Sequence, residues 1–246
     1  MSARPVGVKA ILLDIEGTTT PLAFVTEVLF PYVRAHLRAH LEQYVASDDY
    51  APLLHRLREE HRLCQQRGET PPVWTEPTSD ARIASVVAFV EWLMDRDRKS
   101  TPLKELQGLI WKDGYERGAL VGQVFPDVPL ALRRWRDQHL AVSIYSSGSV
   151  LAQQLLFRHS SAGDLTRVLH SFFDTTVGAK IEPDSYRRIS QRLGLPVDAI
   201  VFLSDTPHEL DAAGQAGMHV RLMIRPGNVP LPEGHHAGAL HTFDEI

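Results

Sequence analysis

Asp14 and Glu16 stand two residues apart at the end of the apolar run Ala10-Ile11-Leu12-Leu13, and Gly17-Thr18-Thr19 follows them. An apolar run closed by a glycine turn reads as a buried strand. A carboxylate at its end lies at the rim where open α/β sheets bind ligands. Alone, an aspartate before Gly-Thr serves equally well as a turn or helix-cap residue. Three later strand candidates also end in polar groups: Ser146 and Ser147 after Leu140–Tyr145, Lys180 after Phe172-Phe173, and Asp205 after Ala199–Leu203. Each has an ordinary role open to it, the serines and Asp205 as helix caps and Lys180 as a solvated lysine.

Together, in this order, they support one chemistry. Asp14 and Asp205 offer hard oxygens suited to Mg²⁺. Asp14 could attack phosphorus in line and form an aspartyl-phosphate. Serine hydroxyls and N–H groups at a helix start would hold phosphate oxygens, and Lys180 would add positive charge at the transferring group. Glu209 and Asp211 could hold Lys180 or a water on the metal.

The elements that must position these residues alternate. Strands are expected at 8–16, 140–145, around Phe172-Phe173, at 199–203 and at 220–224, with helices near 129–139, 149–158, 183–193 and 208–217 between them. Such alternation implies a doubly wound parallel sheet covered by helices on both faces. The stretch after the first strand differs. Ile83, Val86, Val87, Val90, Leu93 and Met94 repeat with helical spacing, and similar patterns surround Leu53–His61, Leu103–Ile110 and Val25–Leu37, the last kinked near Pro31. Ser79 or Asp80 is expected to cap the helix over 81–96. The resulting organisation is an α/β core of residues 1–20 and 121–246 with an inserted helical cap of residues 21–120.

Bulk properties set limits. The chain has 246 residues, 43% hydrophobic and 23% charged, enough for a sizeable core. A net charge of −4 gives no basic balance suggesting nucleic acid or an anionic membrane. No apolar stretch is long enough to span a bilayer, and the first residues lack a signal-peptide core, so a cytoplasmic location is expected. The one cysteine, Cys64, excludes an intrachain disulfide. His235-His236 lies in a Gly/Pro-rich stretch and is expected to be solvated. Nucleotide-binding glycine loops, H-E-x-x-H and G-x-S-x-G are absent.

Residues 12–25 (LLDIEGTTTPLAFV), 145–157 (YSSGSVLAQQLLF), 172–186 (FFDTTVGAKIEPDSY) and 202–218 (FLSDTPHELDAAGQAGM) resemble the enolase-phosphatases of methionine salvage, within the haloacid dehalogenase superfamily. The tail Arg225-Pro226-Gly227-Asn228 does too, and the resemblance spans essentially the whole chain. It implies a haloacid-dehalogenase-like core with a helical cap. It also implies a Mg²⁺-dependent conversion of 2,3-diketo-5-methylthiopentyl-1-phosphate to the acireductone 1,2-dihydroxy-3-keto-5-methylthiopentene and phosphate.

By resemblance, Asp14 is the nucleophile and a metal ligand, Glu16 binds metal through its main-chain carbonyl, and Asp205 is the third protein ligand. Ser146, Ser147 and Lys180 contact the substrate phosphate. Most phosphatases of the superfamily carry aspartate where this chain has Glu16, so this side chain either serves the leaving group and water or moves the enolisation proton. A phosphatase for another small phosphate ester shares the same core. A non-catalytic binding protein would be expected to lose its nucleophile, and here Asp14, Lys180 and Asp205 are all present. With a built-in cap a monomer is expected, and Phe24 and Trp111 are candidates for the methylthio end.

Overall fold

The computed structural model describes residues 7–230 and 238–246. The His235-His236 pair lies outside the described residues. Strand β1 is Ala10–Leu13, four residues all buried. A π-helical turn, Phe24–Leu29, leads into α1, Phe30–Tyr44, with Pro31 in the first turn. Proline lacks the N–H that would continue a regular helix backwards, so the irregular turn falls where the kink is expected. Three more helices follow: α2 (Ala51–Gln66), α3 (Ser79–Met94) and α4 (Thr101–Glu116).

Helix α3 starts earlier than the sequence reading, and its cap is Thr78 rather than Ser79 or Asp80. Thr78 is extended, and its hydroxyl accepts from Ala81 N at 3.2 Å.

The remainder alternates: α5 (Val128–Asp137), β2 (Ala141–Tyr145), α6 (Val150–Arg158), β3 (Ser171–Phe173), α7 (Pro183–Leu193), β4 (Ile200–Ser204), α8 (Pro207–Ala216) and β5 (His219–Leu222). The five strands form one sheet in the order β3-β2-β1-β4-β5, and every pairing is parallel. Side chains alternate between faces along a strand. Ala10, Leu12, Ile200 and Phe202 pack with Tyr186, Ile189, Leu210 and Ala213 of α7 and α8. Their neighbours Ile11, Leu13, Val201 and Leu203 are equally buried on the opposite face, where α5 packs against β2. Burial on both faces explains why these strands read as unbroken apolar runs.

The chain forms two compact units, Met1–Glu27 with Gly118–Ile246, and Val28–Arg117. The first holds the sheet. The second is helical: α1 packs on α3 and α4, and α2 on α3 and α4. Its interior holds Val33, Leu37, Leu57, Val86, Phe89 and Leu106, and the free, buried Cys64. Trp111 is buried in this unit, with its indole N–H on the Leu29 carbonyl at 2.9 Å. No helix among the described residues is long and apolar enough to cross a membrane.

Candidate active site

Strand order reverses at β1, which has β2 on one side and β4 on the other. The carboxyl ends of strands at such a switch point form a crevice, and Asp14 stands there. Its main-chain N–H donates to Leu203 O at 3.0 Å, extending the β1–β4 ladder by one bond. The next residues wind tightly, with the N–H groups of Thr18, Thr19 and Thr20 all directed to Ile15 O. The Thr19 hydroxyl closes the loop on Asp14 O at 3.1 Å. Glu16, half-buried, forms a bridge with Thr20 inside this loop.

Lys180 comes from far along the chain, just before α7. Its ammonium lies 2.6 Å from Asp14 Oδ1 and 2.5 Å from Glu209 Oε2. Two tyrosines fix the approach. Tyr186 donates to Lys180 O at 2.7 Å, and Tyr145, at the end of β2, donates to Gly178 O at 2.9 Å. Ile15 N also donates to Asp14 Oδ1, at 2.7 Å. Asp14 Oδ2 has the weaker contact, the Ser204 hydroxyl at 3.3 Å, and that hydroxyl also reaches Glu209 Oε2 at 2.9 Å.

Asp205 follows β4 and lies against the turn after Glu16. Gly17 has φ +66°, and a Cβ there would stand 2.2 Å from Asp205 Oδ2. The glycine is required twice, for its left-handed backbone and for its missing side chain. Gly17→Ala is expected to lower stability by the roughly 1–2 kcal/mol that a left-handed conformation costs an L-residue. It also drives the Asp205 carboxylate from its place. Thermal melting checks the first effect. A raised divalent-cation requirement for phosphatase activity checks the second.

Ser146 is buried at the end of β2, one strand from Asp14, and its hydroxyl accepts from Gly148 N at 3.1 Å. Ser147 is half-buried beside it. Neither serine caps α6. Ser149 does, accepting from Ala152 N at 3.3 Å. Asp211 is not in the site. It is exposed, two positions after Glu209 and therefore on the far side of α8.

Charge in the site is unbalanced. Three carboxylates, Asp14, Asp205 and Glu209, share one buried ammonium. Burial works against the charged form of Lys180, but Asp14 and Glu209 together outweigh it and hold its pKa above the ordinary lysine value. Burial, with Asp14 adding repulsion, pushes Asp205 up to about 6 and Glu209 to about 7. Such a surplus of hard oxygens, without histidine or cysteine, fits a Mg²⁺ ion. Among the described residues no three His, Cys, Asp or Glu side chains converge as a ready-made metal cluster. A set of two carboxylates completed by a main-chain carbonyl does not form one.

A family model for haloacid dehalogenase-like hydrolases matches residues 8–217. Enolase-phosphatase E1 of Synechococcus elongatus is 45% identical over 242 residues, covering 98% of this chain and 99% of that protein. The chain belongs to the enolase-phosphatase family of haloacid dehalogenase-like hydrolases. A second enolase-phosphatase relative, from Sorghum bicolor, is 44% identical over 97% of this chain and 47% of its own length. Its name is "Probable bifunctional methylthioribulose-1-phosphate dehydratase/enolase-phosphatase E1". The crystal structure of the Saccharomyces cerevisiae UTR4 protein matches with a TM-score of 0.78 at 32% identity, over 97% of this chain and all of that one.

Against the enolase-phosphatase pattern read from sequence, the structure adds residues that the motifs did not single out. Ser204 links Asp14 to Glu209, and its one visible signal was a polar residue closing an apolar strand. Arg225 is buried and donates to Thr18 O at 3.0 Å and to His241 O at 2.8 Å, and it pairs with Asp127 at 2.9 Å. Its guanidinium lies between the Phe125 and Phe243 rings, 4.7 and 4.6 Å from their centres. Asn228 donates to Gly17 O at 3.0 Å. Both were visible only as part of the resembling tail.

Proposed function

We propose that the chain enolises and then dephosphorylates 2,3-diketo-5-methylthiopentyl-1-phosphate, yielding the acireductone 1,2-dihydroxy-3-keto-5-methylthiopentene and phosphate. One observation carries the proposal: Asp14, at the switch point of the sheet, is held at 2.6 Å by Lys180 from 166 residues away. The Sorghum relative's name adds support, since loss of water from methylthioribulose-1-phosphate gives this diketone.

In this proposal Asp14 is the nucleophile. Its carboxylate is oriented by Lys180 and Ile15 N, so the entropy of aiming it is removed before substrate arrives. Asp14, the Glu16 main-chain carbonyl and Asp205 would hold Mg²⁺, which supplies Lewis acidity at the dicarbonyl oxygens and neutralises phosphate charge. Ser146 and Ser147 hold phosphate oxygens, and Lys180 answers the charge that builds on the transferring group.

Attack by Asp14 forms an O–P bond and breaks the phosphorus–enol oxygen bond. The Glu16 carboxyl, two residues on, protonates the departing oxygen. It then takes a proton from the water that splits the aspartyl-phosphate, which restores Asp14 and releases phosphate. The division into a phosphatase core and an inserted helical cap of residues 21–120 belongs to the same proposal, as do a monomeric state and a cytoplasmic location. The clustering of the chain into a sheet unit and a helical unit supports the division.

The test is metal dependence with the diketone phosphate as substrate. Chelation is expected to abolish phosphate release, and Mg²⁺ to restore it. Asp205→Asn is expected to raise the Mg²⁺ concentration giving half-maximal rate, because the cation loses a charged oxygen. Full activity in excess chelator would overturn the metal assignment.

A further inference from the structure

Asn228 follows Arg225-Pro226-Gly227 in the tail after β5. Its amide group is oriented unambiguously. Nδ2 faces two main-chain carbonyls, Gly17 O at 3.0 Å and Met223 O at 3.5 Å. Both are acceptors, so the nitrogen belongs on that side and the oxygen on the other. That oxygen, Oδ1, is buried and finds no hydrogen-bond partner among the described residues.

The oxygen faces a defined place. A Cβ built on Gly17 would stand 2.9 Å from Asn228 Oδ1 and 2.2 Å from Asp205 Oδ2. The amide oxygen and the carboxylate oxygen thus both pack against the bare Cα of Gly17, close enough to each other for one small donor to reach both. Two neighbouring acceptors, one of them without a partner, call for a donor that reaches both, since a buried acceptor left unmade is costly. Mg²⁺ releases its hydration shell reluctantly and usually keeps several waters in a protein site. Such waters are donors that need acceptors in fixed directions.

We propose that Asn228 is a positioning residue of the cation site: Nδ2 pins the turn at Gly17, and Oδ1 accepts a hydrogen bond from a hydrating water beside Asp205. The proposal rests on the Mg²⁺ site described above. Asn228 touches neither substrate nor the reacting atoms. It acts on Asp205 and on the loop that carries Glu16, and its loss weakens cation binding before any chemistry occurs.

Calorimetric titration of Mg²⁺ into the full chain without substrate tests this directly. Asn228→Ala removes both functions, and its Mg²⁺ dissociation constant is expected to rise about 10–100-fold, the usual cost of losing a group that orients metal ligands. Asn228→Asp gives up the Nδ2 contact with Gly17 O but keeps an oxygen beside Asp205 and adds a charge, so it is expected to bind Mg²⁺ more tightly than Asn228→Ala. Melting in chelator establishes that each variant is folded at the titration temperature, and if Asn228→Ala is not, Asn228→Leu, which keeps the bulk without either polar atom, takes its place. An Ala variant with wild-type affinity overturns the role of Asn228, and an Asp variant no better than Ala overturns the role of Oδ1, in both cases leaving the Mg²⁺ site standing. A wild-type chain that binds no Mg²⁺ removes the site and this role together.

Discussion

Asp14→Asn is expected to stop phosphate release while leaving the protein folded and able to form the enol. The substitution keeps the shape of the side chain. An amide oxygen can still accept from Lys180 Nζ and Ile15 N, the donors that hold Asp14 Oδ1 at 2.6 and 2.7 Å. Lys180 also keeps its second partner, Glu209, so no buried cation is stranded and stability changes little. An amide is not a competent nucleophile toward phosphorus. Removal of a nucleophile that works as a unit with its neighbours costs about 10⁴-fold or more. Enolisation, by contrast, needs a proton removed beside a carbonyl and charge stabilised on oxygen. With Mg²⁺ still bound, the phosphorylated enol is therefore expected to accumulate. Phosphate release near the wild-type rate from a folded variant would remove Asp14 from the role of nucleophile.

Lys180→Met is expected to be the most damaging change to the sheet unit as a structure as well as to its chemistry. Lys180 is 8% exposed and answers Asp14 and Glu209 at once. Removing one partner of a buried ion pair typically costs about 3–5 kcal/mol, because the charges left behind stay desolvated. Here two carboxylates are left, with Asp205 adding further negative charge nearby. Urea unfolding in chelator measures the deficit. It is expected to shrink on acidification, since protonating the stranded carboxylates removes their repulsion, and to shrink in Lys180→Met/Glu209→Gln. A deficit that is the same at neutral and acidic pH would show that the loss does not come from the stranded carboxylates.

Much of this site was legible in the sequence because the fold repeats one local device. Each of Asp14, Ser146 and Asp205 terminates or follows an apolar strand at the same edge of a parallel sheet, so strand periodicity locates all three. Lys180 was legible as a lysine after a strand, but its contact with Asp14 depends on Tyr145 and Tyr186 steering the turn before α7. Nothing in their sequence neighbourhood distinguishes those rings from core aromatics. The cap of α3 was misplaced for a related reason. Thr78, Ser79 and Asp80 are all good cap residues, and only the extended backbone at Thr78 decides among them. Asp211 and Glu209 looked equivalent as acidic neighbours, and helix geometry separates them. Ser204, Arg225 and Asn228 act through hydrogen bonds to residues about 190 to 210 positions away or across a strand end. No periodic pattern encodes such contacts.

A single-turnover reaction of the wild-type chain and of Asp14→Asn and Glu16→Gln, with Mg²⁺ and the diketone phosphate, tests the proposed chemistry most directly. Enol absorbance and free phosphate are followed together. Wild type is expected to give one enol and one phosphate per substrate, with enol formation no slower than phosphate release. Asp14→Asn is expected to give the enol signal without phosphate, and Glu16→Gln to slow phosphate release by roughly 10²–10⁴-fold while enol formation continues. Phosphate released by wild type with no enol formed, or Asp14→Asn that binds metal and substrate yet forms no enol, would contradict the proposed division of labour.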